Sequence, residues 1–415
     1  MSSDPPSGAP KSALLLIFLT VLIDMIGFGM IIPILPLYAK NFAAPEWQIG
    51  WLIAIYSLVQ FFSGPLLGRW SDHIGRRTIL LLSLLGTAVG FFIMGAAQSL
   101  ALLFAARILA GFTGGNISTA QAYIADVTTP EKRARGMGII GAAIGMGFIF
   151  GPALGGLLSQ HDLTLLGVTV PAIAVPFYFA GLLALLNTIA VFFRLPESLP
   201  LAKRLQPDKR QGRLAMWHDV ASPQLTKILL AYLVAIIGFS IMTTSFALFT
   251  LHHFNFSAAD NGYTFAFLGL IGVIVQGGLI GRLTKKFGER SLAIVGTLAI
   301  AIGFVLMPIS RGLTLLFFAT GIIALGNSLI QPTLNTLASR ATGPQFQGSV
   351  LGLMASAGSL GRTLGPLAAG WLLTLDLGRG PLAYGQTAFW VAAALMLVSC
   401  GLTVLIEPAE TVLTQ

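Results

Sequence analysis

About twelve apolar runs, each near the 20 residues that cross a 30 Å hydrocarbon core as helix, constrain this chain more than any other feature. They fall near 13–38, 48–69, 78–97, 100–126, 134–159, 172–194, 225–252, 260–284, 289–309, 312–339, 346–374 and 385–406. Lipid offers the backbone no hydrogen-bond partners, so a segment that spans it must satisfy its own amides, which a helix does. Only 9% of the 415 residues are Asp, Glu, Lys or Arg, against roughly 25% in soluble domains. The expected fold is an all-α integral membrane protein, multi-pass in a cell membrane and a monomer. Its twelve transmembrane helices would form two pseudo-symmetric six-helix bundles.

Most connections are a few residues long. The exception, "LPESLPLAKRLQPDKRQGRLAMW" at 195–217, is polar, basic and marked by proline. It divides the runs six and six, which predicts an N-terminal bundle over 1–194, a cytoplasmic linker over 195–224 and a C-terminal bundle over 225–415. Positively charged loops stay in the cytoplasm. With both termini inside, only Lys40, Arg311 and Arg379 of the 24 basic residues fall outside, and Arg107 and Arg362 fall within spans. The net charge of +9 is therefore spread through short loops rather than gathered on a face that would bind nucleic acid. The first run continues past signal-peptide length with no small-residue cleavage pattern, so it reads as a retained helix. Cys400 is the single cysteine and excludes an intramolecular disulfide.

The chain repeats itself. "GRWSDHIGRR" at 68–77 aligns with "GRLTKKFGER" at 281–290, so that Gly68, Arg69, Gly75 and Arg77 fall on Gly281, Arg282, Gly288 and Arg290. "GFIFGPALGG" at 147–156 aligns with "GRTLGPLAAG" at 361–370, and Pro130 with Pro344. Nearly one offset relates all three, which argues for duplication. Two parallel halves with a substrate site between them at mid-depth are a transporter architecture.

Several residues are costly where they stand. Asp24 lies in the middle of the first run, where a charge is unfavourable by at least about 2.5–3.5 kcal/mol; such a carboxyl marks a pathway, a pair or a reversible proton site. Arg362 in span 11 either contacts substrate or snorkels to the surface. Gly147, Gly151, Gly155 and Gly156 place glycines on one face of span 5, and Pro152 bends that helix; a tight, bendable seam between the halves is expected. The candidates for a substrate cavity are Tyr56, Gln60, Asn116, Gln121, Asn327, Gln331, Asn335 and Arg362. Asn327, Gln331 and Asn335 recur every four residues and stack on one face. His252 and His253 are adjacent and read as surface histidines or a pH-sensing pair. No phosphate loop, cofactor motif or metal-ligand spacing appears, so an ATP-driven pump and an enzyme are disfavoured.

Four stretches together resemble the major facilitator superfamily, and within it the twelve-helix drug/proton antiporters such as tetracycline and multidrug exporters. They are "DMIGFGMIIPILP" from Asp24, "GRWSDHIGRR", "RILAGFTG" from Arg107, and "GFIFGPALGG". The resemblance implies proton-coupled export of amphipathic or lipophilic small molecules by alternating access in a bacterial inner membrane. It assigns Arg107 a coupling role beside Asp24. It also implies a cytoplasmic gate of Gly68, Asp72, Gly75, Arg76, Arg77 and Asp126, in which Asp72 and Arg76 latch one half to the other. The expected partners are a small-molecule substrate, protons and lipid. Tetracycline exporters carry an acidic residue in span 9, whereas "SLAIVGTLAIAIGFVLMPI" has none, which favours a broader substrate set. The alternatives are a proton-coupled lipid or metabolite carrier, and a non-coupled receptor or scramblase of the same shape.

Overall fold

The computed structural model describes residues 11–128, 130–165, 167–199, 204, 222–342, 346–380 and 383–407. In the first half, helices run α1 Lys11–Lys40, α2 Glu46–Ile74, α3 Arg76–Gly95, α4 Leu100–Thr113, α5 Asn116–Val127, α6 Pro130–Leu158 and α7 Val175–Arg194. In the second half they run α8 Pro223–Phe254, α9 Ala258–Ile274, α10 Ile280–Phe287, α11 Glu289–Leu306, α12 Leu313–Arg340, α13 Gln347–Asp376 and α14 Gln386–Val404. Among the described residues, eleven helical stretches are long and apolar enough to cross a membrane, and the 30-residue α13 matches them in length. The all-helical, twelve-span architecture read from hydropathy is the one observed.

Three local departures have physical causes. Span 4 is expected as one helix over 100–126, yet it breaks at Gly114 and Gly115 into α4 and α5. Span 8 is interrupted by a five-residue π-helical turn, Val275–Leu279, between α9 and α10. The α6–α7 connection carries a small antiparallel hairpin, β1 Leu163–Leu165 with β2 Val168–Val170, turning at Gly167 with φ of 81°. That hairpin is the one exception to an otherwise helical fold among the described residues. Of the expected linker, most residues (200–203 and 205–221) lie outside those described, as do both chain ends.

Two compact units can be separated. The first comprises Met1–Ile31 and Val59–Asp208, the second Ile32–Leu58 and Lys209–Gln415. Inside the first, α3 packs on α4, α5 and α7. Its core joins Ile17 and Val21 of α1, Leu80 and Leu84 of α3, Tyr123 and Ile124 of α5, and Val191 of α7, all essentially buried. Inside the second, α8 packs on α13 and α14, and α11 on α12 and α14. This unit takes in the last turns of α1 and the first of α2. There Gly50 meets Gly370, with their α-carbons so near that a methyl at either would press on the other at 3.1 Å. Glycine permits that backbone contact because it has no side chain to hold the helices apart.

Glu46, at the start of α2, is buried and pairs with Lys40 at 2.6 Å. It also accepts the Tyr384 hydroxyl proton at 3.2 Å. Burial pushes the Tyr384 phenol well above its ordinary range, and the Glu46 and Asp376 carboxylates push it further, so it remains a donor. His252 stacks on the Tyr384 ring at 3.8 Å and the His253 ring nitrogen lies 2.9 Å from its carbonyl. The two histidines thus buttress this end of the unit.

Candidate functional site

The densest polar cluster sits where α2 turns into α3. Gly75 makes the turn with φ of 109°, a conformation that disfavours any residue with a β-carbon. The turn leaves the first amides of α3 without helical partners. Glu197, from the segment after α7, supplies them: its carboxylate accepts the Arg76 amide at 2.9 Å and the Arg77 amide at 3.3 Å. Arg204 holds that carboxylate at 3.2 Å and donates to the Ile74 carbonyl at 3.0 Å. A β-carbon on Gly75 would strike both Glu197 and Arg204.

Arg76 then points back into the unit, where it is only 4% exposed. Its guanidinium reaches Asp72 Oδ1 at 2.6 Å, Asp126 Oδ2 at 3.0 Å and Ser71 Oγ at 2.6 Å. Ser198 Oγ donates to the same Asp126 oxygen at 3.1 Å, and Tyr123 Oη to the Pro196 carbonyl at 3.0 Å. Arg77 donates to the Phe192 carbonyl and lies over its ring. Every one of these contacts lies inside the first unit. Of the six expected gate residues, Gly68 is the one the structure treats differently: it lies within α2, and a β-carbon there would meet open space. Glu197, an acidic residue in a basic loop, is a member that motif reasoning missed.

Asp24 sits mid-way along α1. Every other acidic residue on a described helix lies within three residues of that helix's end. The side chain that addresses its carboxyl is Asn116, the first residue of α5. Asn116 Oδ1 accepts the Ile117 amide at 3.0 Å, which leaves its buried amide nitrogen as the group available to the carboxylate. The break in span 4 just before Asn116 is held from α2: Gln60 Nε2 donates to the Gly114 carbonyl at 2.7 Å and Ser63 Oγ to the Gly111 carbonyl at 3.0 Å. Discontinuous helices leave unpaired backbone groups that need such partners. Arg107 is 2% exposed, one of the largest fully buried side chains. Gln60 is thus a brace for the break, Tyr56 is half-buried, and Gln121 is exposed.

The glycine run of α6 packs on α1. Gly147 meets Met25 and Ile26, and Gly151 lies against Gly29, whose own β-carbon would touch Pro152 at 2.9 Å. Gly155 and Gly156 are buried one turn further on. The seam expected between the halves is therefore a seam inside the first unit. Close approach needs a small residue on both helices, and Gly29 of α1 is the one that supplies it. The duplicated Gly361 and Gly365 pack on Ile236, Ile237 and Ser240 of α8 in the same manner.

In the second unit, Asn327 and Gln331 of α12 line one small cavity with Tyr232 of α8. Asn335 is half-buried further along the same helix and is not part of that lining. Gln331 hydrogen-bonds with the Tyr232 phenol, and the Arg362 charge faces it.

The family described as Major Facilitator Superfamily matches residues 17–362 and 277–414. The class C tetracycline resistance protein of Escherichia coli is 32% identical, covering 94% of this chain and 95% of that protein. Multidrug resistance protein 2 of Bacillus subtilis (strain 168) is 29% identical over 95% and 94%. The crystal structure of the human organic anion transporter MFSD10 (TETRAN) superposes with a TM-score of 0.70 at 27% identity, covering 96% and 100%.

Proposed function

Because the chain belongs to the major facilitator superfamily, we propose that it is a proton-coupled exporter of amphipathic or lipophilic small molecules, working by alternating access. The observation that carries this reading is Asp24, a carboxyl mid-way along an apolar helix that faces the buried Asn116 amide at the start of a broken helix. A carboxylate there is unfavourable unless it does something, and binding and releasing a proton is what that position suits. In this reading Arg107 supplies a fixed, buried positive charge within the same unit as Asp24, because a guanidinium stays protonated at any physiological pH. The Asp72–Arg76–Asp126 cluster acts as the cytoplasmic gate, and both termini lie on that side. Relatives' printed names span tetracycline, multiple drugs and organic anions, so kinship leaves the charge of the cargo open.

The test uses proteoliposomes with an imposed pH gradient and a panel of fluorescent amphiphiles. Asp24→Asn is expected to insert and fold normally yet to lose gradient-driven flux by at least about tenfold, the loss of an essential proton carrier. Undiminished gradient-driven flux in that variant would refute the coupling.

A further inference from the structure

Arg362 stands near the middle of α13, on a helix about 45 Å long at 1.5 Å per residue. A long basic side chain can reach the interface from a helix end but not from its centre. The structure shows it held inward. Nη2 is bonded to Ser359 Oγ at 3.3 Å. The guanidinium faces the phenol of Tyr232, which Gln331 also bonds. A β-carbon on Gly358 would come within 3.3 Å of Arg362 Nη1 and 3.4 Å of Tyr232 Oη, so the two donors converge over a position with no side chain. Beside them lies the cavity that Asn327 and Gln331 line, with Phe239, Ile300 and Met396 forming its apolar wall. Among the described residues no carboxylate forms an ion pair with Arg362.

A permanent charge in the membrane interior with only neutral neighbours needs an anion. None of the described residues supplies one here, and the surrounding groups are donors able to share one. We infer that Arg362 and Tyr232 form an oxyanion subsite, so that the cargo carries a carboxylate or sulfonate, with Phe239, Ile300 and Met396 the nearest apolar surface for the rest of it. The inference rests on the transport reading only in taking the bound molecule to be cargo.

Binding without any gradient tests it. The full-length protein in phosphatidylcholine nanodiscs is titrated with three probes that share one ring system: 2-naphthoate, 2-naphthalenemethanol and 2-naphthylmethylammonium. The parent should bind the carboxylate at least about tenfold more tightly than the alcohol, as expected of a hydrogen bond to a charged group, and the ammonium least. Arg362→Gln should bind carboxylate and alcohol alike, while Arg362→Lys keeps part of the preference because it keeps the charge. Tyr232→Phe should weaken naphthoate alone, by a few fold for one neutral donor. Gly358→Ala, which keeps the charge and fills the gap, should weaken naphthoate too. A parent that binds the ammonium as well as the carboxylate overturns the inference, and so does an Arg362→Gln protein that retains the preference. Displacement of naphthoate by phosphatidylglycerol would reassign the subsite to lipid and overturn the cargo reading. If Arg362→Gln does not purify as a monodisperse species, the ranking of probes on the parent and the Tyr232→Phe result decide the matter. Gradient-driven flux through Asp24→Asn reports the coupling separately, so neither reading's failure can be mistaken for the other's.

Discussion

At the α2–α3 turn Gly75 has φ of 109°, and at the α10–α11 turn Gly288 has φ of 76°. Two residues beyond each glycine an arginine donates to a carbonyl at a neighbouring helix end, Arg77 to Phe192 and Arg290 to Val404. The backbone and this clamp are common to both halves; the charges are not. Arg76 pairs with Asp126 in the first half, while Glu289 pairs with Arg340 at 2.8 Å in the second, so acid and base have changed places. Asp72, which adds a second carboxylate to Arg76, is replaced by Lys285. Glu197 fills the space above Gly75, whereas the space above Gly288 is open. One turn carries a buried, multiply bonded arginine; the other carries a single pair in which Glu289 is buried and the Arg340 side chain is 55% exposed. Duplication has preserved the geometry that a tight turn demands and left the electrostatics free to diverge.

The comparison can be broken most directly at its two arginines. Removing one partner of a buried charge cluster is destabilising by about 3–5 kcal/mol, whereas an exposed pair is worth about 0–1 kcal/mol. Arg76→Ala should therefore lower the unfolding temperature in detergent sharply, and Arg340→Ala less, because it removes the exposed partner of one ion pair, although it leaves Glu289 buried without it. Equal shifts would show that the two turns are energetically alike.

A smaller contrast is expected at the glycines. With φ positive and ψ of 149° and 157°, both turns use backbone essentially confined to glycine, and a β-carbon there is unfavourable by about 1–3 kcal/mol at either position. At Gly75 the methyl also displaces Glu197 from two amides, adding about 1.5–3 kcal/mol for hydrogen bonds to a charged group. Gly75→Ala should thus be clearly worse than Gly288→Ala in the same melting assay, and Glu197→Ala should abolish the difference between them.

The smallest contrast is predicted for the shared clamp. Arg77→Ala and Arg290→Ala each remove one guanidinium-to-carbonyl contact, worth about 1–2 kcal/mol, and Arg77→Ala also loses the contact over the Phe192 ring, worth about 0.5–1 kcal/mol, so their melting shifts should differ by no more than that. A large disparity would mean that the clamp too has diverged.

What the amino-acid order makes legible follows from the range of each interaction. The spans, the repeat and the pinched glycine motifs are local patterns, set by bilayer thickness and by helix periodicity. Asp24 stands out because its neighbours are all apolar. The break at Gly114 and Gly115 does not stand out, because apolar residues continue through it and the groups that stabilise it, Gln60 and Ser63, come from another helix. Glu197 reaches the α2–α3 turn only by docking of a segment 121 residues further on, which no spacing within the turn reveals. The partner of the α6 glycines is hidden for the same reason: small-residue spacing identifies a packing face, and only Gly29 on α1 shows what it faces.

The π-helical turn at Val275–Leu279 has a counting consequence for the repeat. The α2 helix covers 29 residues from Glu46 to Ile74, and its counterpart covers 30 from Ala258 to Phe287. Glu46 and Ala258 are thus 212 positions apart, while Arg76 and Glu289, just beyond the two turns, are 213 apart. The surplus residue falls within the stretch that holds the π turn, which takes up one extra residue without ending the helix. An unabsorbed insertion would rotate everything after it by about 100°, one residue's share of a 3.6-residue turn, and would swing Arg290 away from Val404. Absorbed as a bulge, it leaves the two halves in phase at the point where each helix pair turns.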